Sequence, residues 1–107
     1  MTDILDTAED LIGRKTGVYD CSGFVSHCYE ENGIYNVPHS SYQIWANGSE
    51  GDGSAGDIVC WDGHVGICDG YGNVIHSYNS NHNIRKDSIR QVSQWDRRPV
   101  KGFRRFY

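Results

Sequence analysis

No uninterrupted apolar run in this sequence approaches the about 18 residues that a membrane-spanning helix requires. The first ten residues, MTDILDTAED, are acidic and lack both the basic start and the long apolar stretch of a secretory signal. The sequence also has no internal repeat, and no low-complexity segment beyond one glycine-rich loop. We therefore predict a single domain over residues 1–107, without a membrane partner and with one modest hydrophobic core.

The 4 cysteines do not include a C-x-x-C pair, the spacing common to zinc knuckles and thioredoxin-like redox sites. Without a secretory signal, they do not indicate a disulfide framework. Cys60, His64 and Cys68 follow one another at four-residue intervals, a spacing that could suggest zinc. Because Asp62-Gly63 turns the chain between the two cysteines, we expect no metal site, although a metal-dependent activity would favour one.

Positive charge is scarce in residues 1–84, which carry 2 basic and 12 acidic side chains, a net charge of −10. Residues 85–107 reverse this balance, with 8 basic and 2 acidic side chains and a net charge of +6. Such a basic segment can bind an anionic polymer, for example nucleic acid or teichoic acid. We favour the alternative that it complements the acidic body, and we predict no nucleic-acid partner because no binding motif is present.

Hydrophobic periodicity predicts helices in the first half of the chain, over residues 2–12, 21–32 and 40–46. The second half contains short β-type runs separated by turn residues, at residues 57–61, 64–68, 73–78, 84–89 and 100–107. The glycine-rich run over residues 47–56 is expected to be a flexible loop. Helices followed by an antiparallel sheet predict an α+β fold.

Cys21 stands where the second helix is expected to begin, in the segment YDCSGF, with Asp20 as a good N-cap. The unpaired N–H groups and the positive end of the dipole in a first helical turn stabilise a thiolate. Gly23 leaves space for a substrate, and the same N–H groups could hold the oxyanion of an acyl-transfer intermediate. We therefore interpret Cys21 as a nucleophile, and Cys28, two turns further along, as a core residue.

A nucleophilic cysteine needs a base, and His64 and His76 are candidates on neighbouring predicted strands. A three-residue loop would pair Asp69 with Asn73 and place both imidazoles on one face as diagonal neighbours. A two-residue loop would instead pair His64 with Ser77 and turn His76 away. His64 and His76 can therefore act as a pair only if the loop between the two strands has an odd number of residues or contains a bulge.

Three segments, in order, resemble the motif blocks of the NlpC family of cell-wall cysteine peptidases: DCSGFV at residues 20–25, GDIVCWDGHVGI at 56–67 and VIHS at 74–77. Between the first two blocks, VPHSSYQI is similar to a Pro/Ser/Gln segment of those enzymes. The resemblance runs from about Ile12 to the C-terminus. It implies a papain-like NlpC fold, with N-terminal helices packed on an antiparallel β-sheet.

The resemblance also implies a role for each residue of a Cys–His–His triad. Cys21 would be the nucleophile, His64 the general base and acid, and His76 the residue that orients His64. Such enzymes mostly cleave the stem peptide of bacterial peptidoglycan, commonly at γ-D-glutamyl bonds to a diamino acid, and we expect no cofactor and no metal. Substrate contacts are expected from a further set of polar and aromatic residues: Ser22, Ser40, Ser41, Gln43 and Trp61.

Two other activities remain open at this point. The same triad could serve an N-acetylmuramoyl-L-alanine amidase of the phage-lysin type, because the loops that select the bond are not readable from sequence. A non-catalytic relative that binds the cell wall is the other alternative, although all three triad residues are present. In each case we expect a monomer that acts on the cell wall, whether extracellular, periplasmic or released by a phage.

Overall fold

The computed structural model describes residues 2–14, 19–79 and 83–107. The helices within these ranges are α1 (Thr2–Asp10), α2 (Cys21–Glu30), α3 (Ser41–Asn47) and α4 (Ile89–Asp96). The strands are β1 (Ser49–Glu50), β2 (Ile58–Trp61), β3 (His64–Cys68), β4 (Asn73–His76), β5 (Arg85–Ser88) and β6 (Gly102–Arg105). In the part of the chain so described, no helix is long and apolar enough to cross a membrane.

The six strands form one antiparallel sheet in the order β1-β6-β2-β3-β4-β5. Strands β2 to β5 follow one another as a meander, and short turns join β2 to β3 and β3 to β4. Strand β6 crosses back to pair with β2, and it separates β2 from β1. The predicted α+β class is confirmed.

Helix α2 begins where the sequence predicts, because Asp20 caps it. Its Oδ1 accepts the backbone N–H of Gly23 at 2.6 Å. The predicted apolar stripe of this helix packs on β3, and Cys28 within it is fully buried. Burial raises the pKa of the Cys28 thiol to about 12, as befits an unreactive core cysteine.

The sheet is covered by helices on both faces. On one face, α1 and α2 enclose a core that includes Ile58, Cys60, Val65, Ile67 and Ile75. On the other, α4 covers Val59, Trp61, Cys68 and Val74. Cys60 and Cys68 therefore lie on opposite faces, and among the described residues no group of three His, Cys, Asp or Glu side chains could hold a metal ion.

Helix α4 is the element that the periodicity does not predict. The run is short and mostly polar, and Val92 is its single buried residue. Its start carries one recognisable signal, since Ser88 and Gln91 have the spacing of a capping box and Gln91 N–H donates to Ser88 Oγ at 2.9 Å. The second half of the chain is consequently not a sheet alone, because a helix separates β5 from β6.

The glycine-rich segment over residues 47–56 differs from the flexible loop that its composition predicts. It contains β1, and the fully buried Asp57 carboxylate holds the rest of it. Oδ2 of Asp57 accepts the backbone N–H groups of Asp52, Gly53 and Ser54. Arg105 of β6 bonds to the same carboxylate at 2.7 Å, so the segment is tied to the sheet.

Candidate active site

An open cleft of about 570 Å³ lies where α2 and β3 begin. Cys21 and His64 both line this cleft, although they come from distant parts of the sequence. The other lining residues are Tyr19, Asp20, Gly63, Ser77, Tyr78, Asn79, Asp96 and Arg98. Tertiary folding therefore brings the candidate nucleophile and the candidate base to one solvent-accessible space.

Cys21 is the first residue of α2 and is partly buried. Burial raises the pKa of its thiol above the ordinary value of 9.0, and the nearby Asp20 carboxylate adds to the rise. Backbone N–H groups of Val65, Ser22 and Cys21 itself lower the pKa, but by less. The stabilisation of the thiolate that is expected at a helix start is thus present, but burial outweighs it and favours the thiol form of Cys21.

Strands β3 and β4 pair in the register that a three-residue loop predicts. Asp69 N–H donates to the carbonyl of Asn73 at 3.1 Å, and the side chains of His64 and His76 share one face. Nε2 of His64 lies 2.8 Å from Nδ1 of His76. Gly66 between them is required, because a Cβ atom there would lie 2.9 Å from Cβ of His76.

Burial disfavours the protonated form of both imidazoles. Burial lowers the pKa of His64 to about 3, with His76 and Arg98 contributing in the same direction. Burial likewise lowers the pKa of His76, and Asp87 opposes that change. A neutral imidazole is the form that can accept a proton from a thiol.

Aromatic and acidic side chains surround the two histidines. The Trp61 ring lies opposite His64 in the β2–β3 hairpin, with ring centroids 5.5 Å apart, and its Nε1–H donates to Ser93 of α4. His76 is fully buried, and its Nε2 lies 2.8 Å from Oδ2 of Asp87 on β5. Packing and hydrogen bonds thus restrict the orientation of both rings.

The far wall of the cleft consists of residues that are not predicted from the sequence. The Tyr78 hydroxyl donates to Oδ1 of Asp96 at 2.6 Å, and Nη2 of Arg98 donates to Oδ2 of Asp96 at 2.9 Å. Arg98 also donates to the backbone carbonyl of Asp62. Because Asp96 is the last residue of α4 and Arg98 follows that helix, they could not be placed before the helix was known.

The residues expected to contact substrate are distributed differently from the triad candidates. Ser22 is buried on α2, Ser40 caps α3 by accepting the Gln43 N–H at 3.3 Å, and Trp61 is 2% exposed. None of the five appears among the residues that line the cleft: Ser22, Ser40, Ser41, Gln43 and Trp61. Their contact with a substrate stays a prediction.

Two arginines of the basic C-terminal segment, Arg104 and Arg105 on β6, are engaged within the protein. Arg105 pairs with Asp57, and Nε of Arg104 donates to the carbonyl of Trp45 at 2.9 Å while its guanidinium lies 3.6 Å from the centre of the Trp45 ring. These contacts favour the interpretation that the segment complements the acidic body.

Iodoacetamide is expected to alkylate Cys21 slowly at neutral pH. The thiolate is the reactive species, and the pKa of this thiol lies above 9.0. The rate should therefore increase with pH and reach its half-maximum above pH 9.0. Intact-protein mass spectrometry can follow the reaction, with Cys21→Ala supplying the background from the three buried cysteines. A rate that is already maximal at neutral pH would instead indicate a preformed thiolate–imidazolium pair.

A family model described as the NlpC/P60 family matches residues 10–104 of the chain. Two probable endopeptidases from strains of Corynebacterium glutamicum are each 35% identical to it over 99 residues, which cover 80% of this chain. The chain spans about half the length of these relatives, 47% and 46%. The predicted single domain over residues 1–107 stays a prediction.

Solved structures of related domains share the fold. The NlpC/p60 domain of the peptidoglycan hydrolase SagA superimposes with a TM-score of 0.76 at 24% identity, and the match covers 97% of both chains. NlpC2 from Trichomonas vaginalis gives a TM-score of 0.79 at 21% identity, covering 96% of this chain and 45% of the other. The predicted NlpC-type fold, with N-terminal helices on an antiparallel sheet, is confirmed.

Proposed function

Because this chain belongs to the NlpC/P60 family, we propose that it is a cysteine peptidase that hydrolyses an amide bond in the stem peptide of bacterial peptidoglycan. The observation that carries the proposal is the shared cleft, which Cys21 and His64 both line, with Nε2 of His64 lying 2.8 Å from Nδ1 of His76. This arrangement supplies a nucleophile, a base and a group that orients the base.

Acylation begins when Sγ of Cys21 attacks the carbonyl carbon of the scissile amide. Nε2 of His64 faces His76, so Nδ1 is the nitrogen available to take the thiol proton. The amide carbonyl becomes an oxyanion, which the first-turn N–H groups of Cys21 and Ser22 can stabilise. The N–H of Gly23 is already bonded to Asp20 and would not contribute.

Collapse of this intermediate expels the amine, which takes the proton from His64 and leaves a thioester on Cys21. Water then attacks the thioester while His64 accepts one of its protons. The carboxylic acid product departs, and the proton returns from His64 to sulfur. No cofactor or metal enters either half of the reaction, and the protein would act on the cell wall as a monomer.

We propose that the bond cleaved joins γ-D-glutamate to a diamino acid. A stem peptide at this point carries both carboxylate and amino groups. The lining of the cleft carries both signs of charge, since it includes Asp20 and Asp96 together with Arg98. The names of the two bacterial relatives, probable endopeptidases, support this choice over an amidase.

Purified peptidoglycan, incubated with the protein in the presence of a chelator, tests this proposal. The wild type is expected to release fragments whose new termini are γ-D-glutamate and the diamino acid, as identified by mass spectrometry. Cys21→Ala should release none, because it lacks the nucleophile. Thermal unfolding of both proteins would verify that the variant is folded.

Other outcomes would redirect the assignment. A free lactyl group together with N-terminal L-alanine would identify an N-acetylmuramoyl-L-alanine amidase. Equal cleavage by the wild type and Cys21→Ala would show that Cys21 is not the nucleophile. Loss of cleavage on addition of the chelator would indicate that the activity depends on a metal ion. Binding to peptidoglycan without any cleavage would indicate the non-catalytic relative.

A further inference from the structure

Asp87 extends the line of hydrogen-bonded side chains that starts at His64. It lies on β5, diagonal to His76 of β4 and on the same face of the sheet. Its side chain is 7% exposed, and Oδ2 lies 2.8 Å from Nε2 of His76. The other oxygen, Oδ1, accepts a hydrogen bond from Nη2 of Arg85 at 2.9 Å. Three adjacent strands thus contribute one residue each to a chain that leads to the cleft.

We propose that Asp87 is a positioning residue that sets the tautomers of His76 and His64, so that the nitrogen of His64 available to Cys21 carries no proton. This inference rests on the proposed function, because it assigns His64 the role of base. Nothing in the sequence motifs points to Asp87, which lies outside all three blocks that resemble the NlpC family.

The tautomers follow from which groups can donate. A carboxylate only accepts hydrogen bonds, so Nε2 of His76 must carry the proton that it shares with Asp87. A neutral imidazole holds a single N–H, and Nδ1 of His76 is therefore an acceptor. The donor in the next bond must then be Nε2 of His64, which leaves Nδ1 of His64 unprotonated.

Without the Asp87 carboxylate, both imidazoles can adopt the opposite tautomer, with the proton on Nδ1 in place of Nε2. Nδ1–H of His76 would donate to Nε2 of His64, and the His64 proton would move to Nδ1. That nitrogen could no longer accept the thiol proton of Cys21. Arg85 fixes the position of the Asp87 carboxylate, because its Nη2 donates to Oδ1 and its Nε lies 2.7 Å from Oδ2.

The remaining charged and titratable groups around His76 do not replace Asp87. Arg85 and Asp96 influence its ring through space, and the rings of His64 and Tyr78 pack against it. Asp96 has both oxygens occupied, by the Tyr78 hydroxyl and by Arg98. The Asp87 carboxylate is the acceptor at Nε2 of His76 within the described structure.

Nuclear magnetic resonance of the ¹⁵N-labelled protein reads the tautomers directly and needs no activity. In Cys21→Ala, long-range ¹H–¹⁵N correlations are expected to show the Nε2–H form for both His64 and His76. Adding Asp87→Asn should produce the Nδ1–H form of His64, since an amide N–H can donate to Nε2 of His76. The proposal is overturned if His64 carries its proton on Nδ1 without the substitution, or if Asp87→Asn leaves both tautomers unchanged.

Kinetics on a soluble stem peptide provide the second test. Asp87→Asn is expected to lower kcat by about 10- to 100-fold with little change in KM, less than the about 10⁴-fold loss known for a carboxylate that contacts the catalytic histidine directly. Asp87→Glu should restore part of the rate, because it returns an acceptor-only group. If Asp87→Asn lowers kcat but leaves the tautomers of His64 and His76 unchanged, the role of Asp87 is merely structural.

Asp69→Asn is the matched control for both measurements. Asp69 is also a buried carboxylate paired with a cation of β5, since it bonds to Lys86 at 3.2 Å and is 4% exposed. It does not contact either histidine, so its substitution should leave the tautomers and kcat unchanged. If the wild type cleaves no peptide at all, the proposed function fails, and the tautomers still decide the role of Asp87.

Discussion

Replacement of His64 by glutamine is expected to lower kcat by about 10²- to 10⁴-fold, the range that a general base contributes. Glutamine preserves a polar side chain opposite Trp61 but has no group that can take the proton of Cys21. Substrate binding should change little, so KM would stay close to that of the wild type. Steady-state kinetics on a soluble stem peptide measure both values.

His39→Gln is the control for this substitution. His39 has a side chain that is 68% exposed, and it does not line the cleft. We expect its substitution to leave kcat unchanged, while thermal unfolding shows that both variants are folded. Equal activity of the two variants would mean that the base lies elsewhere.

Replacement of Asp57 by alanine is expected to lower the free energy of unfolding by about 3 kcal/mol, because it removes a fully buried carboxylate that accepts several hydrogen bonds and pairs with Arg105. The donors are the backbone N–H groups of Asp52, Gly53 and Ser54, together with Arg105. With a total stability of about 5–15 kcal/mol for a typical domain, this loss is large. Urea unfolding followed by tryptophan fluorescence measures it.

Asp52→Asn separates the buried carboxylate from its exposed neighbour. Asp52 bonds to the same arginine, Arg105, at 2.9 Å, but its side chain is 72% exposed. Exposed ion pairs contribute little to stability, so we expect this variant to unfold at nearly the same urea concentration as the wild type. A loss comparable to that of Asp57→Ala would show that the contact with Arg105, rather than the buried acceptor, holds the glycine-rich segment.

Features that depend on neighbouring residues could be predicted from the sequence. Asp20 caps α2 and places Cys21 in its first turn, because a capping bond joins residues three positions apart. The Gly70–Gly72 loop restricts the register of β3 and β4 to two alternatives, and the structure adopts the one that places His64 and His76 on one face. The family follows from the same local segments, since the NlpC/P60 match includes all three of them.

Features that depend on contacts between residues distant in the sequence are visible only in the tertiary structure. The chain between His76 and Asp87 is too long for its sequence to define a register, so the contact between these residues appears only once β4 and β5 are paired. The same holds for α4, which supplies Asp96 and precedes Arg98 in the wall of the cleft. The raised pKa of the Cys21 thiol likewise follows from burial, which no local signal reports, because burial is a property of the assembled core.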